Sequence, residues 1–158
     1  MKKHRFYSER NANQSFTGYG LVGECLAMAS ILQRGFGCAQ AQQDAVDLVA
    51  WDKQNGMSYL VQVRSCQESR NHKGRLYFQM GLGGMKNVNG VKKKRMPTRN
   101  DFDILALVST EQRTCFFMPV TAINQHKITK LPSFFDDPEI ERESWQQTLE
   151  VLNEYPKS

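Results

Sequence analysis

The sequence predicts an α/β fold in a single domain, with a mixed central β-sheet flanked by helices. Three observations predict it. Residues from 18 onward carry apolar side chains at spacings of three and four, the period of a helix with one buried face. Six later segments read as strands, by alternation or as short apolar runs bounded by turn residues. A second stretch of helical period occupies residues 139–154. The order is helix, strands, a basic insertion, two strands, helix, in 158 residues, a length suited to one core.

In TGYGLVGECLAMASILQRGFG, Leu21, Cys25, Met28, Ala29 and Leu32 form the expected buried stripe, and Glu24 lies off it. Gly35 supplies the stop, since glycine accepts the left-handed conformation past a helix end. A short extended piece spans 36–41, and DAVDLVAWDKQNGMSYLVQVRS then reads as a hairpin turning at Asn55-Gly56. RLYFQM, residues 75–80, is a further strand. Residues 81–100, rich in glycine and base with few periodic apolar positions, predict a mobile surface loop or lid. DFDILALVS and TCFFMPV give strands at 103–109 and 114–120, joined by a polar turn at 111–113; their near-continuous apolar runs predict central positions covered on both faces. The last helix sets Trp145, Thr148, Leu149 and Leu152 on one face, and its acidic first turn suits the positive end of the helix dipole.

Charge is distributed unevenly. Residues 1–132 hold 19 bases and 9 acids, a net charge of +10, whereas the remainder holds 2 bases and 7 acids. Such a field favours a polyanionic partner, nucleic acid first and an anionic membrane surface second. No apolar run approaches the ~18 residues of a membrane span. The basic, polar start (MKKHRFYSER) has no apolar stretch of a secretory signal, and Cys25, Cys38, Cys66 and Cys115 are scattered without a C-x-x-C pair, as expected of reduced thiols in a cytoplasmic protein. The three histidines lack metal spacing, and no G-x-S-x-G or P-loop element is present.

The hairpin carries the chemistry. Side chains alternate across a strand, so Val46, Leu48 and Ala50 share one face with Tyr59, Val61 and Val63, an ordinary core surface. The opposite face carries Asp47, Gln62 and Arg64 among apolar neighbours. A two-residue turn at Asn55-Gly56 places Asp47 opposite Arg64 and makes Gln62 the diagonal neighbour. Two readings follow. One is a cross-strand ion pair on a solvated face, contributing ~0.2–1 kcal/mol. In the other, a carboxylate and an amide oxygen offer hard oxygen ligands to Mg²⁺, beside a cation that stabilises an anion.

GYGLVGECLA, then Asp47 in VDLVAW, Gln62-Val63-Arg64 in YLVQVRS, DFDILALVS and FFMPV together resemble the PD-(D/E)xK nuclease superfamily, most of all its small group I intron homing endonucleases, over about residues 18–120. The resemblance implies a restriction-endonuclease-like core and Mg²⁺-dependent (or Mn²⁺-dependent) cleavage of double-stranded DNA, leaving 5′-phosphate and 3′-hydroxyl ends. By position, it makes Asp47 the metal-binding aspartate, Gln62 the Glu/Gln ligand and the Val63 carbonyl the third protein ligand, with Glu24 matching a first-helix glutamate used near the metal in some branches. It also implies a prokaryotic or phage-like setting. Arg64 departs from the family, which places lysine there. A guanidinium keeps the charge but does not lose a proton at working pH, so it orients or stabilises charge and is no general base.

A nearby lysine such as Lys73 is a second candidate for that role. The basic loop (Lys92, Lys93, Lys94, Arg95, Arg99) is expected to grip phosphates, with Arg75 and Gln79 as base readers. A chain this small needs to pair to cut both strands, which points to a homo-dimer or homo-tetramer; Trp145, Leu149 and Leu152 serve either that pairing or their own core. Two other functions stay open: a DNA-binding protein that keeps the nuclease fold without cleaving, Arg64 locking Asp47, and a basic RNA-binding module.

Overall fold

A computed structural model describes residues 15–66 and 74–157. Helix α1 (Ser15–Gln33) leads into β1 (Gly37–Gln43), β2 (Val46–Trp51) and β3 (Ser58–Cys66). Then come β4 (Leu76–Gln79), β5 (Leu82–Val88), β6 (Val91–Arg95), β7 (Ile104–Ser109), β8 (Thr114–Pro119), β9 (Lys127–Lys130) and helix α2 (Ile140–Glu154). Five strands make the central sheet in the order β1-β2-β3-β7-β8, antiparallel except for the parallel pair β3–β7. The expected mixed α/β domain is therefore present.

The sheet separates two apolar layers. On one side Leu48, Val61, Ile104, Ala106 and Phe117 pack with Ala27 and Ile31 of α1 and with Trp145 and Leu152 of α2. Phe36 and Phe117 meet the Trp145 ring edge-on at 5.1 and 5.0 Å, so the apolar stripe of α2 is spent on the chain's own core. On the other side Leu105 and Leu107 pack against Leu76, Phe78, Met80 and Phe135, brought there by the β4–β9 ribbon and the 3-10 turn Pro132–Asp136. Each such side chain contributes about 1.5–3 kcal/mol when fully buried.

Four expectations are corrected. First, α1 turns a different face inward. Gly23, Ala27, Ser30 and Ile31 are buried, whereas Leu21 (53 %), Val22 (46 %) and Leu32 (47 %) are exposed, as are Cys25 and Ala29. The cause is close approach: a Cβ at Gly23 would lie 1.6 Å from Ser65 Oγ, so only glycine lets the helix rest on β3 there. Secondly, the β2–β3 connection is longer than two residues. The register pairs Leu48 with Val61 and Trp51 with Ser58, and Asp52 N donates to Met57 O at 2.8 Å. Gly56 has φ +73°, whereas Asn55 is not among the positive-φ residues.

Thirdly, the supposed lid at 81–100 contains an antiparallel hairpin, β5–β6, in which Val88 pairs with Val91 across Asn89 (φ +51°) and Gly90 (φ +78°). Those are the two positive φ values of the tight turn that the sequence had suggested for Asn55-Gly56. Fourthly, β7 is internal and buried along its whole length, but β8 is an edge strand. The edge is blunted by α2. Cys115 N donates to Glu141 Oε1 (2.9 Å) and Phe117 N to Ser144 Oγ (3.0 Å), satisfying two backbone donors that otherwise invite another strand. Glu141 also accepts from Ser30 Oγ (2.8 Å) and faces Arg34 at 3.6 Å, tying α2 to α1. No helix among the described residues is long and apolar enough to cross a membrane.

Candidate functional site

β2 and β3 supply the first two side chains. Continuing their register one step past Leu48–Val61 sets Asp47 opposite Gln62, with Arg64 as the diagonal neighbour. The earlier pairing of Asp47 with Arg64 is thus off by two residues. Because the slip is even, the faces are unchanged and all three side chains still share one side of the sheet.

The local geometry is tight. Gln62 Nε2 donates to Asp47 Oδ2 at 2.7 Å and to the Val63 carbonyl at 3.3 Å, and Val63 N donates to the same Oδ2 at 2.7 Å. Gln62 is only 5 % exposed, and its buried Oε1 has no hydrogen-bond donor among the described residues. Burial raises the Asp47 pKa from its ordinary value, against the opposing pull of the Val63 N–H and the Arg64 charge. Glu24 is likewise raised, by burial first and by the Asp47 charge second, which places the α1 carboxylate within the field of this site. Burial lowers the Arg64 pKa, and Asp47 counters it. Arg64 belongs to none of the ion pairs among the described residues, so it does not lock Asp47.

These residues fit a divalent cation. The Asp47 carboxylate, Gln62 Oε1 and the Val63 carbonyl are hard oxygen donors of the kind a divalent cation takes, and burial disfavours the charge of Asp47 and Glu24; Gln62 turns its Nε2 toward Asp47 and the Val63 carbonyl, so its amide has to rotate to present Oε1 to an ion held there. The set is spare in charge. Among the described residues no three His, Cys, Asp or Glu side chains gather as a metal cluster.

The other expected residues scatter. Gln79 and Lys94 line a cleft together with Arg64, while Arg75 is exposed at the start of β4. Lys92 and Lys93 lie on β6, paired with Asn87 and Lys86. Arg95 is held by Asp101 through two bonds of 2.6 and 2.8 Å. Arg99 binds the Tyr155 carbonyl and faces Asp103 at 3.4 Å, and Lys157 reaches the same carboxylate at 2.9 Å. Arg95 and Arg99 therefore serve local structure in this state. Lys73 and the N-terminal basic run fall outside the described residues.

Sequence reasoning missed two polar residues. Asp103 is 4 % exposed and accepts from Leu60 N at 2.9 Å, fixing β3 beside the start of β7. Ser65 receives α1 at Gly23, and Glu24 is the next residue along that helix. An aspartate opening an apolar strand run was the available signal for the first; the second contact joins distant segments and leaves none.

The chain is similar in structure to a solved bacterial homing endonuclease, I-Ssp6803I, with a TM-score of 0.66 at 19 % sequence identity, over 91 % of this chain and 99 % of the other. Neither any family model nor any curated protein matches the sequence. The likeness shows a shared fold, that of a homing endonuclease: a mixed central sheet flanked by two helices.

Proposed function

We propose that this protein is a metal-dependent DNA endonuclease, in which Asp47, Gln62 and the Val63 carbonyl hold Mg²⁺ or Mn²⁺ and Glu24 stands by as a second carboxylate. The observation that carries the proposal is the Gln62 amide, held against an Asp47 carboxylate whose charge is disfavoured by burial, with a buried Oε1 that no donor among the described residues satisfies. The structural likeness to a homing endonuclease and the +10 charge of residues 1–132 support DNA as the substrate. Placement in the PD-(D/E)xK superfamily rests on the motif resemblance described above.

When bound, the ion would supply Lewis acidity toward a phosphodiester oxygen and make water a better nucleophile, with Asp47, Gln62 and the Val63 carbonyl to hold it. The chain's own residues do the rest. Asp47 is held in place by the Gln62 amide and the Val63 N–H, so its carboxylate is oriented before any ligand arrives. Arg64 keeps its proton and stabilises the added negative charge as water attacks phosphorus and the bond to the 3′-oxygen breaks. The products are a 5′-phosphate and a 3′-hydroxyl. Cutting both strands of a duplex calls for two such sites, hence a homo-dimer or homo-tetramer.

Plasmid nicking tests this reading. Wild type is expected to nick with Mg²⁺ or Mn²⁺ and not in EDTA, and Asp47→Ala is expected to lose the activity. Arg64 in the family's lysine position favours one rival, a DNA-binding protein that does not cleave. Tight duplex binding with no nicking by wild type under any metal, together with cutting gained by Arg64→Lys, would establish that rival.

A further inference from the structure

Beside the Asp47–Gln62 pair a cleft of about 420 Å³ opens between the end of β3, the ribbon strand β4 and the hairpin strand β6. Arg64, Ser65, Tyr77, Gln79, Gly81 and Lys94 line it. Among the described residues the chemistry of this lining is one-sided: two cations, two hydroxyls and an amide, with no carboxylate. Arg64 and Lys94 are both only partly exposed, so neither charge is fully compensated by water. A concavity lined by cations favours an anionic occupant.

Lys94 owes its position to Gly81. A Cβ at Gly81 would lie 2.5 Å from Lys94 Cβ and 3.3 Å from its Cδ, so the lysine stem rests directly on the glycine backbone. The contact is with the root of the side chain, which cannot swing aside as its tip can. Glycine at this point is thus a seat for the lysine; its φ is not in the left-handed region, and conformational freedom does not explain it.

We propose that this cleft is a phosphate subsite, in which Lys94 and Arg64 grip a nucleic-acid backbone phosphate next to the candidate metal site and Gly81 fixes where Lys94 stands. The inference rests on the reading of duplex DNA as partner and adds to it a specific grip, drawn from the hairpin. Lys94 acts here as a binding residue, contributing its charge to the cleft that Arg64 also lines. Arg64 joins the two halves, being both the diagonal neighbour of the Asp47–Gln62 pair and part of the cleft wall.

The test uses binding alone, in EDTA, so cleavage does not enter. Affinity of the full chain for a fluorescent DNA duplex is measured from 50 to 200 mM salt for wild type, Lys94→Met, Lys94→Arg and Gly81→Ala. Each neutralised phosphate contributes about 0.9 to the slope of log affinity against log salt. Lys94→Met, which keeps the stem and removes the charge, is expected to lower the slope by about 0.9, and Lys94→Arg is expected to retain it. Gly81→Ala is expected to follow Lys94→Met while keeping its circular dichroism. An unchanged slope in Lys94→Met overturns the subsite and leaves the DNA reading intact, whereas absence of duplex binding by wild type overturns that reading itself. A wild-type slope in folded Gly81→Ala removes the glycine from the proposal.

Discussion

Gln62→Glu tests the electrostatics of the site without any substrate. In the wild type the Gln62 amide donates to Asp47 Oδ2 across 2.7 Å; a glutamate would put a second carboxylate oxygen there. Two full charges at that distance repel by about 6 kcal/mol at an effective dielectric of ~20. Keeping a proton on one ordinary carboxylate at pH 7 costs only about 4 kcal/mol. The folded variant should therefore hold one shared proton at neutral pH, while the unfolded chain holds none. A group whose folded pKa is raised contributes stability that is complete below its unfolded value and lost as pH rises through the folded value. Above about pH 5 the variant should lose about 1.4 kcal/mol per pH unit until the pair's upper pKa is passed.

The wild type should show the same sign more weakly, because burial already raises Asp47 and Glu24. Urea unfolding in EDTA at half-unit steps from pH 5 to 8 gives the slope. Repeating it with Mg²⁺ should abolish the variant's slope, since the ion replaces the shared proton. A variant whose stability is flat with pH and indifferent to Mg²⁺ would refute the geometry of the pair.

Other expectations concern the scaffold. Gly23→Ala gains about 1 kcal/mol of helix propensity but drives a methyl into Ser65, and overpacking of this kind costs about 1–3 kcal/mol; a net loss of melting temperature, partly recovered by Ser65→Gly, should be seen. Glu141→Ala leaves the Cys115 N–H and the Ser30 hydroxyl without their acceptor, at about 1–3 kcal/mol for each donor that stays buried, and should promote association through the uncovered β8 edge, read by denaturation and light scattering. Asn89→Val forces a β-branched residue into positive φ and should destabilise the β5–β6 hairpin, whereas the same change at Asn55, outside the positive-φ set, should cost only its exposed bond from the Met57 N–H, a smaller drop by thermal melt.

Much of the fold was legible because strands and the last helix advertise themselves by period. The alternation in DLVAW and YLVQVRS assigned the faces of the hairpin and so brought Asp47, Gln62 and Arg64 together on one side, but Val46, expected beside Leu48 and Ala50, packs instead in the layer of Leu105 and Leu107. The register was not legible. Asn-Gly occurs twice, and the dipeptide does not say which copy forms the tight turn; the sheet settled it, with Asn89-Gly90 closing Val88 onto Val91. The buried face of α1 was hidden for another reason. Apolar residues occur all round GLVGECLAMASIL, so period cannot choose among them, and the choice is made by small residues that admit the sheet and by Ser30 finding Glu141. Lys94 was legible only as one base among five in a charged segment; its seat on Gly81 required the hairpin.

The proposed activity requires Asp47 and Gln62 to bind a divalent cation together. Titration of Mn²⁺ followed by electron paramagnetic resonance, on wild type, Asp47→Ala and Gln62→Ala, measures this directly. One saturable ion per chain in wild type, lost in Asp47→Ala and weakened in Gln62→Ala, is the predicted result. Equal Mn²⁺ binding by all three proteins, or none by wild type even with duplex DNA present, would contradict it.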